Sequence, residues 1–113
     1  MDGLELTAFQ IISSVGSARS CYIEAIQEAK KGHFGKAESL ISEGDEMFVE
    51  GHDAHSNLLT KEAQDGPGNS LSLLILHAED QLMSAEGFKT IALEFMDAYK
   101  RMEALEAKTQ QIN

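Results

Sequence analysis

An all-α fold is predicted for this chain, with three antiparallel helices in one bundle. Three observations predict it. Apolar residues recur at steps of three and four over three long stretches. No stretch alternates apolar and polar residues with the period of two that a half-buried strand requires. Two breaks, KKGHFGK with Gly32 and Gly35, and QDGPGNS with Gly66, Pro67 and Gly68, divide the chain between those stretches.

The first stretch runs from about Leu4 to Lys31. Phe9, Ile12, Val15, Tyr22, Ile23, Ile26 and Ala29 supply its apolar face. Gly32 after Lys30 and Lys31 is a helix stop, with cations at the negative end of the helix dipole. The second stretch runs from about Phe34 to Gln64, with Leu40, Ile41, Met47, Phe48, Leu58 and Leu59 as its stripe. Gly44 and Gly51 fall inside it, each costing about 1 kcal/mol against alanine. Glycines kept at such positions point to close approach by another helix. The third stretch begins near Asn69 or Ser70, either of which can cap it. It runs to about Lys108, with Leu74, Ala78, Leu82, Ala85, Phe88, Ala92, Phe95, Tyr99 and Met102 on one side. The terminal TQQIN is expected to fray. At about 1.5 Å per residue each helix is roughly 40 Å long or more.

The 113 residues suit one domain over 1–113, with 42% apolar and 25% charged residues in an ordinary globular balance. No apolar run approaches the length of about 18 residues that a membrane helix needs. The opening MDGLELTAF lacks the basic start of a secretory signal, so a cytoplasmic location is expected. The net charge of −10 argues against nucleic acid and against an anionic membrane surface. It suits a basic protein partner. Cys21 is the only cysteine, which excludes an internal disulfide and a cysteine-based zinc site. It reads as a small apolar filler. Leu73, Leu76 and Ile91 lie off the main stripe of the third stretch, so a second apolar face is left for another copy of the chain. A homo-oligomer is expected.

Candidate chemistry centres on His77 in SLLILHAEDQLMS. On a helix turning about 100° per residue, Asp80, Gln81 and Ser84 share its face, and Leu73 and Leu74 cover its N-terminal side. A neutral imidazole so placed is a good nucleophile toward phosphorus or carbon, and Asp80 or a neighbour could fix its tautomer. Periodicity alone also allows a core histidine with both nitrogens satisfied. A second constellation, Phe48, His52, His55 and Leu59, puts two histidines on one helix face. A His-x-x-His pair can hold zinc, or can simply be the polar part of a helix interface. Di-iron chemistry needs Glu-x-x-His pairs, and Val49, His52 and Leu74 stand where those glutamates would be. Neither GDEMFVEG nor GPGNSLS has the lysine of a nucleotide-phosphate loop. His33 reads as a solvated loop residue, and Glu43, Asp45, Glu46 and Glu50 as a wet face.

HAEDQLMSA, from His77 to Ala85, resembles the HAQDHLMT signature of the lactose/cellobiose-type enzyme IIA of the bacterial sugar phosphotransferase system. FQIISSVGSARSCYIEAIQEAKKGHFGKAESLI is similar to that family's opening helix pair, with xGxARS before EAxxxAxxGDFxxA. EGHDAHSNLLTKEA resembles its EAHxxQTxLLxxEA. The resemblance covers nearly the whole chain. It implies a homotrimer of three-helix protomers whose signature histidine, here His77, takes a phosphoryl group from the phosphocarrier protein HPr. It implies transfer onward to a cysteine of the cognate IIB component, for uptake of a β-disaccharide such as cellobiose, chitobiose or lactose. It also implies a divalent cation, expected to be Mg²⁺, held by Asp80 at the trimer axis. Three departures matter: Glu79 replaces a glutamine, Gln81 replaces the second histidine, and His55 replaces another glutamine. Glu79 is expected to face away from its own His77 and toward a neighbouring protomer. Gln81 keeps hydrogen-bonding capacity but cannot carry a charge. With His52 and His55 these are supporting candidates. Two alternatives stand beside the carrier: a non-catalytic regulatory or adapter paralogue with weakened transfer, and a metal-binding helical protein using His52, His55 and His77.

Overall fold

The computed structural model describes residues 3–65 and 73–112. They form α1 (Gly3–Lys30), α2 (Phe34–Asp65) and α3 (Leu73–Ile112), and the described residues contain no strand. The all-α expectation is met. The proposed caps Asn69 and Ser70 lie outside the described residues. Within the terminal TQQIN, α3 extends to Ile112, and Asn113 lies outside the described residues. α1 is the central partner, packing on both α2 and α3, which meet each other far less. Cross-helix contacts fix the directions. Tyr22 meets Asp45 while Gly51 faces Val15, so α2 runs antiparallel to α1. Arg19 meets Gln81 and Ser84 while Gly32 approaches Glu103, so α3 runs parallel to α1. The result is an up-down-up rod of 68 × 20 × 18 Å.

The buried seam of α1 is Ala8, Ile11, Val15, Ala18, Tyr22, Ala25 and Ala29. These positions alternate steps of three and four, a heptad period that keeps one line of side chains facing neighbouring helices. α2 answers with Ala37, Gly44, Gly51 and Leu58, seven residues apart, all buried. α3 contributes Ile75, Ala78, Leu82, Ala85, Ala92 and Met96. The seam is built largely from small residues, and this corrects the sequence reading. Phe9, Leu59, Phe95 and Met102, expected in the core, are exposed. Helices that approach closely favour alanine and glycine along much of the contact line, between the larger Ile11, Val15, Tyr22 and Leu82.

Gly51 shows how tight that contact is. An added Cβ would lie 2.5 Å from Val15 Cγ1 and 3.6 Å from the Ile11 carbonyl oxygen. Val15 is fully buried and β-branched, so it has no spare rotamer into which to retreat. Gly51→Ala therefore gains about 1 kcal/mol of helix propensity but incurs an overpacking cost of about 1–3 kcal/mol. The expected net result is a melting temperature lower by several degrees, read by circular dichroism. Tyr22, also fully buried, donates its hydroxyl to Asp45 Oδ1 at 2.7 Å, and Lys89 Nζ sits 3.1 Å from the same oxygen. Burial, and then that hydrogen bond, push the phenol well above its ordinary range. Asp45 is thus a structural acceptor and departs from the wet face expected of it, whereas Glu43, Glu46 and Glu50 are exposed.

The α1–α2 corner closes on Gly32, whose φ of +84° is in the left-handed region. His33 N–H donates to the Glu28 carbonyl at 2.9 Å and Gly32 N–H to the Ala29 carbonyl at 3.0 Å, the paired bonds of a Schellman ending. The Glu28 carboxylate gathers His33 Nδ1 at 2.7 Å, Lys36 at 3.5 Å and Lys31 at 3.8 Å. His33 is therefore tied to α1 and is not simply solvated. The His33 hydrogen bond, then the two lysines, hold the Glu28 carboxyl below the usual carboxylate range against the opposing effect of burial. A lowered folded value means that the ionised group stabilises the fold above its unfolded value, and that this contribution disappears as pH falls through the folded value. Glu28→Gln is expected to flatten the loss of melting temperature below about pH 4.5, read as paired thermal scans across that range.

Candidate functional site

His77 sits on the first turns of α3, and its side chain is exposed. No described residue hydrogen-bonds its ring. It borders a shallow, almost wholly apolar recess formed with Leu73, Leu74 and Leu76. The helical period explains the position. The core face of α3 runs through Ile75, Ala78 and Leu82, and a second line runs through Leu73, Leu76, Asp80, Met83, Gly87 and Ile91 on roughly the opposite side. His77 falls between the two. Its ring is reachable by another molecule, yet hydrocarbon lies on its flank.

Asp80 is exposed and makes no hydrogen bond or ion pair with His77, so tautomer control by Asp80 is absent within one chain. Gln81 turns toward α1, where its Oε1 accepts from Arg19 Nη1 at 2.7 Å. Ser84 Oγ lies 3.4 Å from the same nitrogen. Glu79 does not point outward to a neighbour: its Oε1 is 3.2 Å from Nε2 of His55 on α2. Two of the departures in the signature regions therefore meet each other. His55, only 18% exposed at the side chain, is the polar member of the α2–α3 contact. His52 is exposed, with its ring 6.2 Å from that of Phe48. Among the described residues no three histidine, cysteine or acidic side chains gather to hold a metal. The reading of His52, His55 and His77 as one metal site is thereby overturned within the chain, for the nitrogen of His55 nearest α3 is already engaged by Glu79. Cys21 is buried, and burial raises its thiol above the ordinary value, with Glu43 and Glu24 adding to the effect. It is an inert filler, as expected.

Arg19 is the residue the sequence reading passed over as a site candidate. Its signal was available: it is the only basic residue before Lys30, inside the ARS stretch of the resemblance.

Residues 6–100 match the family described as PTS system, Lactose/Cellobiose specific IIA subunit. The galactose-specific EIIA component of Lactococcus lactis subsp. cremoris (strain MG1363) is 43% identical over 98 residues, covering 87% of this chain and 84% of that protein. The crystal structure of the PTS cellobiose-specific enzyme IIA from Bacillus anthracis superposes with a TM-score of 0.87 at 38% identity, covering 92% of this chain and 94% of that one. The fold also recurs, with a TM-score of 0.69 at 22% identity over 91% of this chain and 99% of that one, in a solution structure of IIA(Chitobiose) in complex with HPr from Escherichia coli. Among the described residues, no helix is long and apolar enough to cross a membrane.

Proposed function

This chain belongs to the lactose/cellobiose-specific IIA family of the sugar phosphotransferase system, and we propose that it is a cytoplasmic carrier that takes a phosphoryl group from phospho-HPr on His77 and passes it to a cysteine of its IIB partner. The observation that carries this reading is the His77 ring: exposed, without a hydrogen-bond partner among the described residues, and flanked by Leu73, Leu74 and Leu76. A phosphohistidine must meet two proteins and avoid water. An imidazole on an open surface, with hydrocarbon beside it, answers both needs. The HPr complex of the related chitobiose protein supports the choice of donor.

The carrier reading extends to a homotrimer assembled along the outer line of α3. Leu73 is 84% exposed, Leu76 48%, Met83 70% and Ile91 45% in the single chain. Exposed apolar residues gathered along one face of a helix call for a partner helix of the same kind. Asp80 lies on that line, and three copies would bring three carboxylates together. One chain alone offers a single oxygen-bearing side chain there, so a divalent cation fits only the assembled trimer. Oxygen donors of that type suit Mg²⁺, which would offset most of the carboxylates' charge when bound. Sugar choice is left to the rest of the system, since a carrier of phosphate does not touch sugar. Of the sugars in the relatives' names, cellobiose is a β-disaccharide and galactose a monosaccharide; a β-disaccharide is the class proposed here.

The direct test is incubation with phosphoenolpyruvate, enzyme I and HPr, followed by intact mass and peptide mapping. The expected result is a gain of one phosphate, about 80 Da, on the peptide containing His77. A stable trimer that never gains the mass would instead support the regulatory or adapter reading.

A further inference from the structure

We infer that Arg19 is a phosphoryl-binding residue of this site, held by Gln81 and Ser84 so that the free edge of its guanidinium receives the oxygens of the group on His77; the inference rests on the carrier reading above. Arg19 Nη1 directs its two hydrogens at protein oxygens, Gln81 Oε1 at 2.7 Å and Ser84 Oγ at 3.4 Å. Nη2 and Nε have no hydrogen-bond partner among the described residues. They are not sealed from solvent, because no buried side-chain nitrogen in the described chain lacks a partner. The edge left over is the forked pair of N–H donors that matches two oxygens of a phosphoryl group.

The charge on Arg19 is also unspent. Lys31, Lys36, Lys89, Lys100 and Arg101 all sit on carboxylates, at 3.8, 3.5, 3.1, 3.1 and 3.4 Å respectively, and Lys30, Lys61 and Lys108, which form no ion pair among the described residues, are exposed to solvent. No described carboxylate lies within ion-pairing distance of Arg19, whose two partners are neutral. In a chain of net charge −10, a half-buried arginine left uncompensated is unusual. Its placement explains it. Gln81 follows His77 by one turn, and helical side chains lean toward the N-terminus, so the Gln81 amide overhangs the turn that carries His77. Arg19 leans the same way from the parallel helix α1. Gln81 cannot carry a charge itself, but it holds a residue that does.

The step that Arg19 would assist balances as follows. A ring nitrogen of His77 forms a bond to phosphorus as the P–N bond of the donor phosphohistidine breaks. The electron pair of the broken bond returns to the donor imidazole, which ends with the proton that His77 gives up. About two negative charges arrive on the acceptor. A fixed guanidinium beside them lowers the repulsion met during transfer in either direction.

The experiment compares wild type, Arg19→Gln, Arg19→Lys and Gln81→Glu for the initial rate of phosphate uptake from phospho-HPr. Phosphorus NMR of the labelled proteins and circular dichroism accompany the rates. Arg19→Gln is expected to slow uptake by about 10- to 100-fold. Arg19→Lys should retain part of the rate, as a point charge without the fork. Gln81→Glu should slow it comparably to Arg19→Gln, because the new carboxylate neutralises the guanidinium in place. The phosphohistidine resonance should move in Arg19→Gln, which a merely structural arginine would not cause. If Arg19→Gln fails to fold, the other two variants decide. Wild-type rates and an unmoved resonance in Arg19→Gln and Gln81→Glu, with His77 labelled in wild type, overturn this inference and leave the carrier reading standing. Wild type that takes no phosphate on His77 removes both.

Discussion

His77→Gln is expected to abolish phosphate incorporation, lowering the labelled fraction by at least about 10³-fold while leaving the protein folded. The size of the effect follows from the chemistry. A neutral imidazole nitrogen has a free lone pair to offer phosphorus, whereas the nitrogen lone pair of an amide is delocalised into its carbonyl. Glutamine keeps polarity and comparable length, so little else changes at the surface. The fold survives because of where His77 sits. The ring is exposed and bonded to no described residue, and surface substitutions away from special features usually cost within about ±0.5 kcal/mol. Melting temperature and oligomer mass should therefore match the wild type, and a phosphate-uptake assay should read near background. Residual labelling at wild-type level would place the acceptor elsewhere, since His52, His55 and His33 are the remaining imidazoles. Of these His55 and His33 already engage Glu79 and Glu28.

The helices and the corner between α1 and α2 were legible because they rest on local signals, whereas periodicity alone left the exposure of His77 open, since it also allowed a core histidine. Gly32 announced its own corner through the lysines before it. Gly44 and Gly51 announced close packing, and both face α1 side chains that leave no room for a Cβ. What was not legible depended on which helix lies next to which. Asp45 looks like one acid among several until α1 brings the Tyr22 hydroxyl to it and α3 brings Lys89. Glu79 points away from His77 on a helical wheel, as expected, but a wheel does not reveal that α2 places His55 on that side. The assignment of core positions failed for a related reason. Ala8, Ala18 and Ala25 carry little hydrophobicity of their own, so a reading weighted by residue size passed over them for exposed Phe9. Their burial follows from close contact between helix backbones, a tertiary fact that size-weighted reading does not see.

Asp80→Asn is expected to yield a trimer that no longer responds to chelator. The second seam of α3 runs Leu73, Leu76, Asp80, Met83, Gly87 and Ile91 in steps of three and four, so Asp80 is the one acidic residue in an otherwise apolar or small line. A polar residue at such a position costs stability and in return fixes register and oligomer state. In the proposed trimer three carboxylates would converge there and repel one another; each pair at about 5 Å would contribute on the order of 3 kcal/mol at an effective dielectric constant near 20. A cation shared among them removes that penalty. Chelation should then shift the wild-type protein toward monomer, and added Mg²⁺ should restore the trimer. Asparagine has no charge to repel and little to offer a hard cation, so the variant should remain trimeric in both conditions. Light scattering across a dilution series reads the outcome without reference to phosphate transfer. Wild type whose mass is the same with and without chelator would remove the cation from the account. The apolar seam would then be left to hold the copies together with protonated or outward-turned carboxylates.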